Sequence, residues 1–149
     1  MSTYTEEVGK KLNDLLEKTY DAEKGFKKAA ENVDHVALKS YFKSKADQRY
    51  NFGHELKTEI KSFGQEVDKG GSITGAAHRA WMDVKSLFSG DDEESMLEEA
   101  IRGEKAAVEE YHDVISETSL PSSTKTILSS QKSKIESGLS NIKTLEDLR

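Results

Sequence analysis

Residues 3–33 read TYTEEVGKKLNDLLEKTYDAEKGFKKAAENV, and this stretch decides the fold class. Val8, Leu12, Leu15, Ala22, Phe26, Ala29 and Val33 recur at alternating steps of four and three, with Thr19 filling the one gap. A helix turns once in about 3.6 residues, so this spacing gathers the apolar side chains into one seam that must be buried against other helices. Leu16, Glu23 and Ala30 widen the same face. Thr3 and Glu6 have the spacing of a capping box, in which each side chain satisfies a backbone amide at the helix start. The pattern predicts a first helix over Thr3–Asn32.

Three more long helices follow from the same reading. Asp34 is the expected cap of a second helix running to about Phe63, with Leu38, Phe42, Ala46, Arg49, Gly53, Leu56, Ile60 and Phe63 on its inner face and Gly64 as its stop. The link before it is so short that the first two helices must be antiparallel neighbours. Gly64–Gly75 is dense in glycine and reads as a loop. A short amphipathic helix is expected over Gly75–Phe88, burying Ile73, Ala77, Ala80, Val84, Leu87 and one edge of Trp81. Asp91 and Glu94 open a third long helix to Glu117, with Leu97, Ala100, Glu104, Ala107, Tyr111, Val114 and Ile115 inward. Ser119, Leu120 and Pro121 form a tight connection to a fourth helix over Ser122–Leu148, faced by Leu128, Gln131, Ile135, Gly138, Ile142 and Leu145.

The segment between Gly64 and Asp91 is long enough to return along the whole bundle. The expectation is therefore one all-α domain over residues 1–149: a ferritin-like four-helix bundle with a long crossover, containing a short helix, between parallel helices two and three. A five-helix array without that parallel pair is the rival topology.

Composition narrows the function classes. The 149 residues are 34% hydrophobic and 34% charged, a polar balance that suits long helices each showing one face to water. Pro121 is the only proline, so long helices can run uninterrupted. With no cysteine, thiolate metal sites, disulfides and cysteine nucleophiles are excluded. A net charge of −6 argues against nucleic acid as a partner, because binding phosphate needs a basic surface. No apolar run approaches the roughly 18 residues of a membrane span. Residues 1–11 have no apolar signal-peptide core, so a cytoplasmic protein is expected.

Each long helix carries a polar side chain on its apolar stripe: Glu23, Arg49, Glu104 and Gln131. Counted at about 1.5 Å per residue and placed on the crossover topology, they rise to about 15, 22, 18 and 24 Å, a single middle layer. Two acids and an arginine there can neutralise one another and fix the register of the bundle. The competing reading makes Glu23 and Glu104 carboxylate ligands of a divalent metal ion, with Tyr111 nearby as a partner. An arginine in the same layer opposes a second cation.

Di-metal bundles need carboxylates on four helices and two Glu-x-x-His pairs. Glu109 and His112 have the spacing, but both leave the inner face, as do His54 and Glu55. His78, Arg79 and Trp81 lie on the expected crossover helix, with Trp81 half covering the bundle. No triad of serine and histidine and no phosphate-binding glycine loop is evident.

These residues carry a resemblance. Leu12-Asn13-Asp14-Leu15-Leu16 and Asp21-Ala22-Glu23-Lys24-Gly25-Phe26 are joined by Arg49 with Phe52 and Glu55-Leu56. Gly71-Ser72, Gly75-Ala76, His78-Arg79-Ala80-Trp81 and Arg102-Gly103-Glu104 with Tyr111 complete the set. Together they resemble a bacterial family of ferritin-like four-helix-bundle proteins whose domain is classed as of unknown function. The resemblance implies a ferritin-like fold and a bacterial cytosolic protein, and supplies no ligand set. Ferritins carry Glu-x-x-His on the second helix, whereas Thr58 stands three positions after Glu55 here.

The expected function is thus non-enzymatic: a bundle acting by binding or assembly, with stress as its setting and the polar layer as structure. Its alternative is a divalent-metal protein, iron-related in one version, using Glu23 and Glu104. Homo-oligomers are candidate assemblies. A membrane-surface role is disfavoured by the missing basic face. No protein partner and no cofactor is identified.

Overall fold

A computed structural model describes residues 4–67, 93–117 and 119–141, and all of its secondary structure there is helical. The helices are α1 (Tyr4–Glu31), α2 (Val36–Ser62), α3 (Glu93–Glu117) and α4 (Ser122–Asn141). The expected helix over Gly75–Phe88, with His78 and Trp81, lies outside the described residues. So do Thr3 of the capping box, the Asp91 cap and the last turns expected of the fourth helix.

The seam of α1 is buried along its length, from Val8 through Leu12, Leu15 and Thr19 to Phe26 and Ala29. The short turn that follows corrects one expectation. Asp34 does not cap α2; His35 does, in an extended conformation (φ −62°, ψ 115°), with its ring Nδ1 accepting from the Leu38 N–H at 3.1 Å. The reason lies on α3. Glu93 Oε2 accepts from the backbone N–H groups of Asp34 and His35 at 3.1 and 2.9 Å, which places His35 at the position before the first helical residue. At the other end of α2, Gly64 takes φ +71°, and Gln65 N–H reaches back to the Ile60 carbonyl at 3.2 Å. Only a residue without a Cβ adopts that left-handed turn at no cost, so the helix stops there.

The apolar core has two parts. One gathers Phe26, Ala29 and Ala30 of α1, Leu38, Phe42 and Ala46 of α2, and Met96, Leu97 and Ala100 of α3, together with Val33 of the turn. The other gathers Val8, Leu12, Leu15 and Leu16 of α1, Phe52, Leu56 and Ile60 of α2, Tyr111 of α3, and Leu128 and Ile135 of α4. Phe26, Phe42 and Phe52 are fully buried, each contributing about 1.5–3 kcal/mol of transfer free energy. The segment after α2 folds back onto α1, where Asn13 Nδ2 donates to the Glu66 carbonyl at 2.9 Å. Gln65 also packs directly over Gly9, and a Cβ added at Gly9 would sit 2.9 Å from the Gln65 Cβ. Polar side chains fill the stretch of α2 and α3 between the two parts of the core.

Candidate functional site

The periodicity that buries Leu38, Phe42 and Leu56 also carries Lys45 and Arg49 inward, since both lie whole turns away on the same side of α2. Opposite them on α3 is Glu104, which is 2% exposed. The Arg49 guanidinium forms a buried ion pair through Nη2 with Glu104 Oε1 and donates from Nη1 to Gln48 Oε1 at 2.6 Å. Its planar face is also held, with Cζ 5.7 Å from the Phe26 ring centre and 5.6 Å from that of Phe52. The Lys45 ammonium stands 3.5 Å from the other carboxylate oxygen, Oε2. Oε2 is buried and accepts no hydrogen bond, so that contact is electrostatic. Lys45 fits because α4 presents Gly138 there; a Cβ at that position would collide with the ammonium.

A second set lies toward the other core. Gln131 of α4 is fully buried, and its side-chain oxygen accepts from the Tyr111 hydroxyl at 2.5 Å. Its Nε2 donates to Glu55 Oε1 at 3.1 Å and to the Phe52 carbonyl at 3.4 Å. One turn beyond Glu55, the Thr124 hydroxyl donates to buried Glu59 at 2.6 Å. Three helices are thereby tied at one level by side-chain hydrogen bonds.

Burial shifts the titrating groups around these sets. Desolvation lowers the Lys45 pKa from 10.5, and the Arg49 charge adds to that, while Glu104 pulls it back up. The Tyr41 phenol is pushed up to about 12, first by burial and then by the Glu104 carboxylate, with Arg49 acting the other way. Burial raises the Tyr111 phenol still further, so it stays a neutral donor to Gln131.

The structure therefore brings Arg49 to Glu104 and Tyr111 to Gln131. Glu23 is elsewhere: at the partly covered edge of α1 it pairs with Lys27, one turn along, at 2.9 Å. That partner raises the Lys27 pKa, through the hydrogen bond first and the Glu23 charge second. His54 is exposed and meets the Tyr50 ring edge-on at 4.6 Å. His112 is exposed.

Lys45, Glu59 and Thr124 are inward residues that the sequence expectations do not single out, and Glu55, expected to leave the inner face, joins them through its carboxylate. The first three have a signal in the spacing. Lys45, Arg49, Phe52, Leu56 and Glu59 step four, three, four and three along α2, and Thr124 stands one turn before Leu128. Glu55 has none; its residue is exposed, and only the carboxylate tip turns in to Gln131.

A family profile described as "Domain of unknown function (DUF2383)" matches residues 7–117. The chain belongs to the DUF2383 family. Curated proteins and solved structures give no match to it. The DUF2383 match takes in nearly all of α1 and the whole of α2 and α3, so the Lys45–Arg49–Glu104 set lies inside it, while Gln131 and Thr124 of α4 lie beyond it.

The fit of a metal to the DUF2383 layer can be tested on its donors. Glu104 faces two cations, and Glu23 is engaged by Lys27 on another edge. Among the described residues no three His, Asp or Glu side chains come together as a metal-binding group. Glu23 and Glu104 are thus engaged by different cations.

Proposed function

We propose that this DUF2383 protein is a ferritin-like bundle of bacterial, cytoplasmic origin that acts without catalysis, by binding or by assembly with further copies. Stress is the setting we infer for it. The observation that carries the reading is the Glu104 carboxylate between Arg49 and Lys45: an acid whose charge is matched by buried cations holds helices together.

The ferritin-like path is supported by where α3 meets α2. Its first residue, Glu93, binds the head of α2, and Glu104 faces Lys45 and Arg49 further along. Thr124, near the start of α4, meets Glu59 near the end of α2. In this reading α2 and α3 run parallel, and the chain between them crosses the length of the bundle. No helix among the described residues is long and apolar enough to cross a membrane, in keeping with a protein that works in solution.

The alternative, a divalent ion on Glu23 and Glu104, has one observation in its favour: Glu104 Oε2 is buried without a hydrogen bond. The Lys45 ammonium, however, stands on that side of the carboxylate. Metal analysis by mass spectrometry on untagged protein separates the two readings, beside folded Glu23→Ala and Glu104→Ala variants. We expect no near-stoichiometric metal, no turnover with iron or peroxide, and a lower melting temperature for Glu104→Ala. A bound metal lost in both variants would make the layer a binding site. The solution mass of the same preparation reports whether copies assemble.

A further inference from the structure

The head of α2 is closed by an unusual acceptor. Helix N-caps are ordinarily Ser, Thr, Asp or Asn, whose oxygens accept from the first-turn amides at any pH near neutrality. Here the acceptor is the Nδ1 atom of His35, 3.1 Å from the Leu38 N–H. An imidazole nitrogen accepts a hydrogen bond only through its lone pair, so this cap requires the neutral ring with its proton on Nε2. The same turn is clamped by Glu93, whose Oε2 takes the backbone N–H groups of Asp34 and His35. Three parts of the bundle thus meet at this turn: the end of α1, the head of α2 and the start of α3.

From this geometry we propose that His35 makes the α1–α2 turn an acid-sensitive joint, closed with a neutral imidazole and loosened when the ring takes up a second proton. Histidine is the side chain whose charge changes most readily around neutral pH. The imidazolium has no lone pair for Leu38 N–H, and it sets a positive charge at the N-terminal end of a helix, where the dipole is unfavourable to cations. Charged groups on the elements that meet there are Glu93 of α3, Asp34 in the turn, Lys28 and Glu31 in the last turn of α1, and Lys39 in the first turn of α2. Glu93 and Asp34 attract the imidazolium, so the joint opens only if the lost cap and the dipole outweigh them.

Urea unfolding of the parent and of His35→Asn, compared between pH 8 and pH 5, reads that sum. Asparagine keeps a cap acceptor and does not titrate, and the remaining acids titrate in both proteins and cancel in the comparison. The parent is expected to lose roughly fivefold more in its folding equilibrium constant than the variant over this range, the size of a lost N-cap. Parallel curves, or a parent that gains stability on acidification relative to His35→Asn, would overturn the proposal. A second reading needs no variant: nitrogen chemical shifts of the parent's imidazoles at pH 8. A lone pair on Nδ1 of His35 is expected, and a proton found on Nδ1 would end the idea whatever the unfolding curves show.

Discussion

Two polar sets cross this bundle, and they are built from opposite materials. The Lys45–Arg49–Glu104 set is ionic and joins α2 to α3, with both cations on one helix and the anion on the other. The Tyr111–Gln131 set is carried by a neutral amide and phenol, reaching the Phe52 carbonyl and Glu55 of α2 from α4. Ions attract at a distance and in any direction, but each loses several kcal/mol of hydration when buried. Amide and phenol groups lose far less hydration, yet they need good geometry to recover it. The ionic set therefore selects which helices face each other. The neutral set fixes how far each has slid along its neighbour.

The difference is sharpest when one member is removed. Glu104→Ala leaves two nearly buried cations on α2 with no anion beside them, and a loss of about 3–5 kcal/mol in unfolding free energy is expected. Glu104→Gln should be almost as severe, since it keeps shape but not charge. Replacing the pair together, as Arg49→Met with Glu104→Leu, should recover most of the loss, because the burial penalty of both ions goes with them. Urea denaturation of the three proteins checks this ordering. A double variant as unstable as Glu104→Ala would mean that packing around Phe26 and Phe52, and not charge, makes the set matter.

The neutral set should yield a smaller effect of a different kind. Gln131→Leu fills the same space but leaves the Tyr111 hydroxyl and the Phe52 carbonyl without that partner, at a cost of about 1–3 kcal/mol. Adding Tyr111→Phe should then cost little more, because the stranded hydroxyl goes too. A double-mutant cycle by denaturation measures this coupling. Fully additive losses would show that the two side chains do not act as a unit.

How legible these sets were in the chain differs between them, for a physical reason. The periodicity of α1 announces a bundle because apolar side chains at steps of three and four have no other stable use, and Arg49, Glu104 and Gln131 stand out as polar residues on such stripes. Lys45 does not stand out. Its long stem can lie along an apolar face whether the ammonium ends in water or beside an acid, and that depends on Glu104 and Gly138 of two other helices. Glu23 shows the converse. Its wheel position is at the edge of the stripe, where a neighbour one turn away, Lys27, claims it before the core can. The cap of α2 was illegible because it depends on Glu93, which is remote in sequence. A local reading sees Asp34 before an apolar run and cannot know that another helix already holds its backbone amide.

The smallest predicted effect lies where the ionic set meets Tyr41. Its phenol pKa is raised from 10 to about 12 by burial and by the Glu104 charge. Between those values the unfolded chain has lost the tyrosine proton and the folded chain has kept it. The unfolded state then binds fewer protons, so stability falls as pH rises, by the linkage relation. Below pH 10 the contribution is fully present; above about 12 it is gone. The two-unit shift corresponds to a loss of about 2 kcal/mol across the window, taken on the low side because Tyr41 is only partly buried. Lys45 works the other way. Its lowered pKa makes stability rise with pH below 10.5, and it does so in the parent and in a Tyr41→Phe variant alike. The difference between the two proteins therefore isolates the phenol. Denaturant unfolding at pH 9, 10.5 and 11.5 should show the parent losing stability faster than Tyr41→Phe, with Glu104→Gln narrowing the gap. Curves of equal slope would place Tyr41 in water, and with it the side of the ionic set that Lys45 guards.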